Sequence, residues 1–384
     1  MPRVLMMTCL VMVAWVAFAQ DDGVLRKLDF EKDLGGFASA DPLAELCVTT
    51  TEGFAFKGEG ALELWYLQRA ITPGDEASGL PGSLILPTEG GLSGLKAVRF
   101  AATAEISTAL SVMLAEGGED GPRYSAFIWC EGGEWAEYVI GIDDFHYDRD
   151  SGEDPDGKLT PEGIEAIVMV DVGCFFRFLA QQNPMFHVAP AAEQVLMLDE
   201  FELSTVEPET GETQEGTVLV QDYAWPMGGV VLLGGKNVKA SAITQDEAGE
   251  ADHALRIEYE VPSQTVFALV HQVRPGSLAD VSKLQLQVKS EKATTLFVDL
   301  EERTGRGAEK KANYSASAQV NAGDDWQTIE LPMTEFRRGD DSMDENGKLD
   351  TEHVVMAMVI EGSALINQAD VSNVLQVREF VGLK

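Results

Sequence analysis

Trp135-Ala136-Glu137-Tyr138-Val139-Ile140-Gly141-Ile142-Asp143-Asp144-Phe145 and Trp326-Gln327-Thr328-Ile329-Glu330-Leu331-Pro332-Met333-Thr334-Glu335-Phe336 are one pattern written twice. In each, a tryptophan is followed ten residues later by a phenylalanine, with apolar side chains alternating between them: Tyr138, Ile140 and Ile142 in one, Ile329, Leu331 and Met333 in the other. An acidic stretch follows both times, ending Asp156-Gly157-Lys158-Leu159 and Asn346-Gly347-Lys348-Leu349. The apolar runs Ile167 to Val170 and Ala357 to Ile360 come next. Self-similarity of this extent predicts two copies of one domain. What both copies keep is expected to serve the fold, and what one copy alone carries is a candidate for function.

Working outward, the dominant period is two, the period of a strand with one buried face. Leu62, Leu64 and Tyr66 match Leu255, Ile257 and Tyr259; Val98, Phe100 and Ala102 match Leu284, Leu286 and Val288. Leu110, Val112 and Leu114 match Leu296, Val298 and Leu300, and Tyr124 to Cys130 matches Tyr314 to Val320. The copies close on Val195 to Leu203 and Val374 to Gly382. Short alternating strands separated by turn signals predict an all-β chain of two tandem antiparallel sandwiches. Thr160-Pro161, and Asp350 in the second copy, read as caps of one helical turn.

Residues 1–19 read as a secretory signal peptide: Arg3, an apolar run from Val4 to Phe18, and Ala17-Phe18-Ala19 before the cut. The expected protein is exported, extracellular or periplasmic. The first sandwich is expected over 20–206 and the second over 217–384. Between them lies an acidic linker, 207–216, bearing Pro208 and Gly211. The formal net charge of -36 disfavours nucleic acid and membrane insertion, and anionic polysaccharides too unless a metal ion or a local basic patch intervenes. Cys47, Cys130 and Cys174 fit neither a disulfide framework nor zinc spacing.

The succession Leu28-Asp29-Phe30-Glu31, Gly60-Ala61-Leu62-Glu63-Leu64, Trp135 to Phe145, Asp156-Gly157-Lys158-Leu159 and Leu198-Asp199-Glu200-Phe201 resembles the galactose-binding-like jelly roll. The likeness is to family-eleven carbohydrate-binding modules and the complex I intermediate-associated domain in particular. Asp222-Tyr223, Ala254-Leu255-Arg256-Ile257, Trp326 to Phe336 and Asn346-Gly347-Lys348-Leu349-Asp350 carry it in the second copy. It implies non-catalytic binding of a polysaccharide, here a neutral one. It also implies a structural calcium ion held by carboxylates from the first strand's loop and the last strand. Glu31 and Asp199 stand at those places in the first copy. The second has Ala224 and Arg378, and a guanidinium there repels a cation. The other reading of Glu31 and Asp199 is that they are solvated or capping groups.

Sugar binding calls for aromatic faces against pyranose rings and fixed polar groups for hydroxyls. Outward positions in the first copy include Trp65, Arg99, Met113, Phe127 and Trp129, with Arg123 at the mouth of a strand. These six are the candidate carbohydrate contacts. The second copy's outward positions are mainly polar: Arg256, Glu258, Gln285, Gln287, Asp299, Ser315, Ser317 and Gln319. Two explanations compete for the first copy's aromatics: a glycan platform, or burial beneath the aromatic-rich 173–190 insertion or the other domain. Two further functional readings stand beside sugar binding. One is an adhesive surface using Phe175, Phe176 and Phe178. The other is a glycan-degrading enzyme using a carboxylate pair such as Glu63 with Glu116 or Asp299 with Glu301.

Overall fold

The computed structural model describes residues 23–71, 79–118, 121–154, 157–208, 215–224, 226–243, 253–305, 311–339, 342 and 346–384. The stretch expected as a signal peptide and most of the expected linker lie outside these residues. The first half carries strands β1 (Val24–Leu28), β2 (Glu45–Thr49), β3 (Ala61–Leu67), β4 (Ser83–Pro87), β5 (Ala97–Ala104), β6 (Thr108–Glu116), β7 (Arg123–Cys130), β8 (Ala136–Gly141), β9 (His146–Tyr147), β10 (Ile164–Asp171) and β11 (Glu193–Ser204). They build a six-stranded sheet, β2-β3-β11-β5-β8 with β1 also on β11, facing a five-stranded sheet, β4-β10-β6-β7-β9. The alternating residues Leu62, Leu64, Val98, Phe100, Leu110, Val112, Tyr124 and Ile128 fill the space between them.

The second half repeats this. Its strands are β12 (Thr217–Gln221), β13 (Val230–Gly234), β14 (Lys236–Ala242), β15 (Leu255–Val261), β16 (Phe267–Gln272), β17 (Lys283–Ser290), β18 (Thr294–Arg303), β19 (Lys311–Val320), β20 (Gly323–Pro332), β21 (Arg337–Arg338), β22 (Val354–Glu361) and β23 (Val371–Leu383). The sheets run β14-β15-β23-β17-β20, with β12 on β23, and β13-β16-β22-β18-β19-β21. Strand for strand the order is that of the first half. β13 takes the place of Ala38, which makes a single bridge to Ile85 of β4. Irregularities recur too: Phe30 and Tyr223, and Glu200 and Glu379, all adopt positive φ. The long last strand slips register just after Asp199 in the first half.

The 173–190 insertion, expected as a loop, opens as helix α1 (Val172–Gln182), with a five-residue counterpart, α2 (Ser363–Asn367). Asp171 caps α1 by accepting from Gly173 N at 2.7 Å, and Cys174 on its inner side is fully buried. The two single turns form as 3₁₀ segments, Pro161–Gly163 and Thr351–His353. Asp350 caps its turn through its side chain, whereas Thr160 makes no side-chain cap bond.

Asp171 is also the hub of a buried network. Its carboxylate accepts from Tyr66 Oη at 2.6 Å, Gln68 Nε2 at 2.7 Å and Thr108 Oγ1 at 2.5 Å. Glu361 holds the equivalent place, accepting from Thr294 Oγ1 at 2.5 Å and Ser363 N at 2.9 Å. A buried carboxylate is stable when its oxygens are supplied with donors. Both copies tie the end of β10 or β22 to the start of the following helix, although Glu361 Oε2 is left without a partner.

The two sandwiches share backbone. Trp129 N donates to Met227 O at 3.1 Å, and Gly229 N donates to Phe127 O at 2.7 Å. From Val230 onward the same stretch pairs with β16. The Gln272 side chain spans the joint, accepting from Phe127 N at 2.9 Å and donating to Ser125 O at 3.2 Å. Arg303 pairs with Asp150, Arg274 with Asp143 at 3.5 Å, and Val266 N donates to Met185 O at 2.9 Å. Ala109, Trp129 and Val172 of the first half therefore belong to the second half's apolar core.

Candidate functional site

The six sequence-chosen contacts do not come together. Trp65 on β3 and Arg99 on β5 lie on the outer face of the six-stranded sheet, where Arg99 lies 4.0 Å from Glu202. Met113 on β6 and Arg123, Phe127 and Trp129 on β7 lie on the outer face of the opposite sheet. Trp129 retains only 6% exposure and Phe127 is half-buried, both packed against the second sandwich. The first sheet face expected as an aromatic platform is thus an interdomain joint at Phe127 and Trp129. Met113 is half-buried, and Arg123 is exposed at the far end of the strand. Of the imagined acid–base pairs, Glu63 and Glu116 sit on different sheets. Asp299 takes a hydrogen bond from Ser315, and Glu301 is paired with Arg303 and Lys311.

Glu31 and Asp199 do converge, but on backbone amides. Asp199 accepts from Lys57 N at 2.9 Å and Glu200 N at 2.7 Å, while Glu31 accepts from Glu59 N at 2.8 Å. Burial raises the Asp199 carboxyl above the ordinary range, partly offset by these amides and that of Phe56. The loop they hold is tight: a Cβ on Gly58 would lie 1.8 Å from Glu31 Oε1. Among the described residues, no three His, Cys, Asp or Glu side chains gather as a metal cage. In this structure the pair anchors the 57–59 loop through its backbone N–H groups.

The seam between the sandwiches opens into a groove of two adjoining cavities, which meet at Ile106, Ser107, Asn237 and Val238. The smaller, about 720 Å³, has Trp129, Phe176, Leu232 and Leu233 as apolar walls. Its polar groups include Gln68, Ser107, Thr108, Arg177, His187, Lys236 and Asn237, and among the described residues no carboxylate lines it. Each is positioned. Trp129 Nε1 donates to Glu131 Oε2 at 2.8 Å, and Ser107 Oγ donates to Glu131 Oε1 at 2.6 Å, fixing the rim. Arg177 donates to Gln68 Oε1 at 2.5 Å and to Ala189 O, which leaves its buried Nε without a partner. Burial, then the charge of Lys236, lowers the His187 pKa, favouring the neutral ring that can both donate and accept. The larger cavity, about 1030 Å³, is lined by Glu105, Glu131, Glu134, Glu258, Glu260 and Glu291 as well as Lys239, Arg256 and Lys292. An apolar hollow at a domain joint with a few convergent polar groups is the usual form of a small-ligand site. The sequence hides it because its walls come from stretches far apart in the chain.

No family profile and no curated protein matches this chain. Among solved structures it is similar to the family 11 carbohydrate-binding module from Clostridium thermocellum in complex with a β-1,3-1,4-mixed-linked tetrasaccharide, at 18% identity and a TM-score of 0.35, over 44% of this chain and 97% of that one. It is also similar to the family 30 carbohydrate-binding module of a cellulosomal cellulase of the same organism, at 12% identity and 0.31, over 44% and 97%. An exo-β-agarase matches at 15% identity and 0.31, over 43% of this chain and 25% of the enzyme. Among the described residues no helix is long and apolar enough to cross a membrane.

Proposed function

We propose that this protein is an exported, non-catalytic carbohydrate-binding protein whose ligand, a neutral glycan, lies in the groove between the two sandwiches. The observation that carries this reading is the carboxylate-free cavity of about 720 Å³, with two aromatic walls and the Gln68, Arg177, His187 and Lys236 polar groups. Phe176 and Trp129, which line this cavity, offer apolar surface to a pyranose ring, and Arg177, His187 and Lys236 bond its hydroxyls. The net charge of -36 opposes uronates and sulfated chains over the surface as a whole, while Arg177 and Lys236 are the charges in the cavity itself.

Calorimetry with a panel of neutral tetrasaccharides tests this. His187→Ala and Phe176→Ala each weaken binding about tenfold, equivalent to ~1.4 kcal/mol. A panel without any heat of binding overturns it. The adhesive reading retains one observation in its favour: Phe175 is 42% exposed, with Phe176 and Phe178 rings each 6.4 Å away. Self-association lost in Phe175→Asp, with no glycan bound, would favour that reading.

A further inference from the structure

The outer face of the first half's six-stranded sheet carries a second constellation. Register places Cys47 opposite Glu63, Glu63 opposite Met197, and Met197 opposite Thr103, so one row crosses four strands. Trp65 lies two residues along from Glu63 on the same face and is 45% exposed. At the other end of the row stands Trp135, immediately before β8, whose Ala136 pairs with Ala102. The Phe56 ring, 37% exposed, packs against Trp135 with centroids 5.8 Å apart. Three strand spacings separate Trp65 from Trp135, roughly 14 Å, a span that suits two or three sugar units and not one small molecule.

The row between these rings is polar and underused. Thr103 is only 2% exposed, and its hydroxyl has no hydrogen-bond partner. Glu63, 7% exposed, receives the Cys47 thiol at 3.7 Å, a weak donor. A buried hydroxyl without a partner costs stability unless something supplies one. In the second half the equivalent face carries charged side chains. Lys289 replaces Thr103 and Arg378 replaces Asp199, and they stand 4.8 Å and 4.3 Å from the centroid of Trp326, the counterpart of Trp135. Arg256 and Glu258, in place of Glu63 and Trp65, pair with each other. The second copy's tryptophan face is filled by its own cations, whereas the first copy's neighbours are rings.

We infer that this face, from Trp65 across Thr103 to Phe56 and Trp135, is a second glycan-contact surface, separate from the groove, which takes an extended neutral polysaccharide. The exposed rings offer flat apolar faces for the C–H sides of successive pyranoses. Glu63 and the overall negative charge exclude uronate-rich chains. The inference rests on the glycan-binding reading for the class of ligand alone; the location is independent of the groove.

The test is native gel electrophoresis through soluble neutral polymers (hydroxyethylcellulose, mixed-linkage β-glucan, xylan and galactomannan), with tetrasaccharide calorimetry in parallel. Trp65→Ala with Phe56→Ala removes two exposed side chains, and Thr103→Lys writes the second copy's residue into the first; thermal melts check that both fold. Both variants are expected to lose about tenfold in polymer retardation while tetrasaccharide binding in the groove stays at the parent level. His187→Ala is expected to do the reverse. Parent-like retardation of both surface variants overturns the second surface and leaves the groove standing. Parent-like behaviour of His187→Ala in both assays, with retardation lost in the surface variants, overturns the groove and leaves the surface. No retardation of the parent by any of the polymers, or self-association abolished by Trp65→Ala, also overturns the proposal.

Discussion

The two halves follow one strand order yet spend their equivalent positions differently. Where the first has Asp199 accepting amides and holding the loop around Phe56, the second has Arg378 lying over Trp326. Where the first has an eleven-residue α1 lining the groove, the second has a five-residue turn of helix. Where the first has a single bridge at Ala38, the second has a full strand, β13, that also buttresses the first. Both keep the capped carboxylate, Asp171 or Glu361, at the same joint. The shared features hold the sandwich together; the divergent ones lie on surfaces. The first copy has kept open aromatic surface, and the second has put its surface into ion pairs and into supporting its neighbour.

The comparison breaks most visibly at the shared network. Asp171→Ala strands four donors in the first copy, and a loss of about 3–5 kcal/mol is expected in urea denaturation. Glu361→Ala, with fewer donors, should cost less; an equal or larger cost would mean that the networks are not equivalent.

Next comes pH. His271 of the second half, bonded to Tyr223 and to Ala357 O at 3.0 Å each, is pushed down to about 4 by burial. Its unfolded value is about 6.5, so below that the unfolded chain binds a proton that the folded one refuses. The stability associated with the neutral ring is complete above about 6.5 and is lost as pH falls toward 4, on the order of 3 kcal/mol. His146 of the first half is likewise pushed down to about 4 by burial, so His271→Gln should reduce, and His271→Gln with His146→Gln should flatten, the dependence of the urea midpoint on pH over that window.

Gln272→Ala removes the side chain that bonds β7 from the second half. A loss of about 2 kcal/mol is expected, together with separation of one unfolding transition into two; retained coincidence of transitions would show that the remaining joint suffices. Arg378→Ala, which uncovers Trp326, should cost only about 1 kcal/mol by denaturation. The smallest effect concerns calcium. Titration into chelated protein is expected to give no heat, and a signal that disappears in Asp199→Ala would return these carboxylates to metal binding.

The repeated sandwich is legible in the chain because alternation survives in both copies, and two agreeing readings of one pattern reinforce each other. Alternation also gives the outward direction of Trp65, Phe127 and Trp129 correctly. It does not tell which of two sheets a strand joins, so residues that share an outward direction end on opposite sides of the molecule. The cover over Trp129 is not local either: it comes from Met227 to Leu233, about a hundred residues away. Helix α1 escapes because its signal, Asp171 as cap, sits at the end of a strand and reads as part of it. The groove is invisible to any single stretch, since each wall is unremarkable until the seam closes.

The strand running from Met227 into β13 has one consequence beyond this molecule. Its first residues bond one sandwich and its later ones the other, so either half cut out and grafted elsewhere would carry an unsatisfied ribbon edge, an invitation to fibre-like self-pairing. Recombination that treats these sandwiches as interchangeable beads would be punished by insolubility.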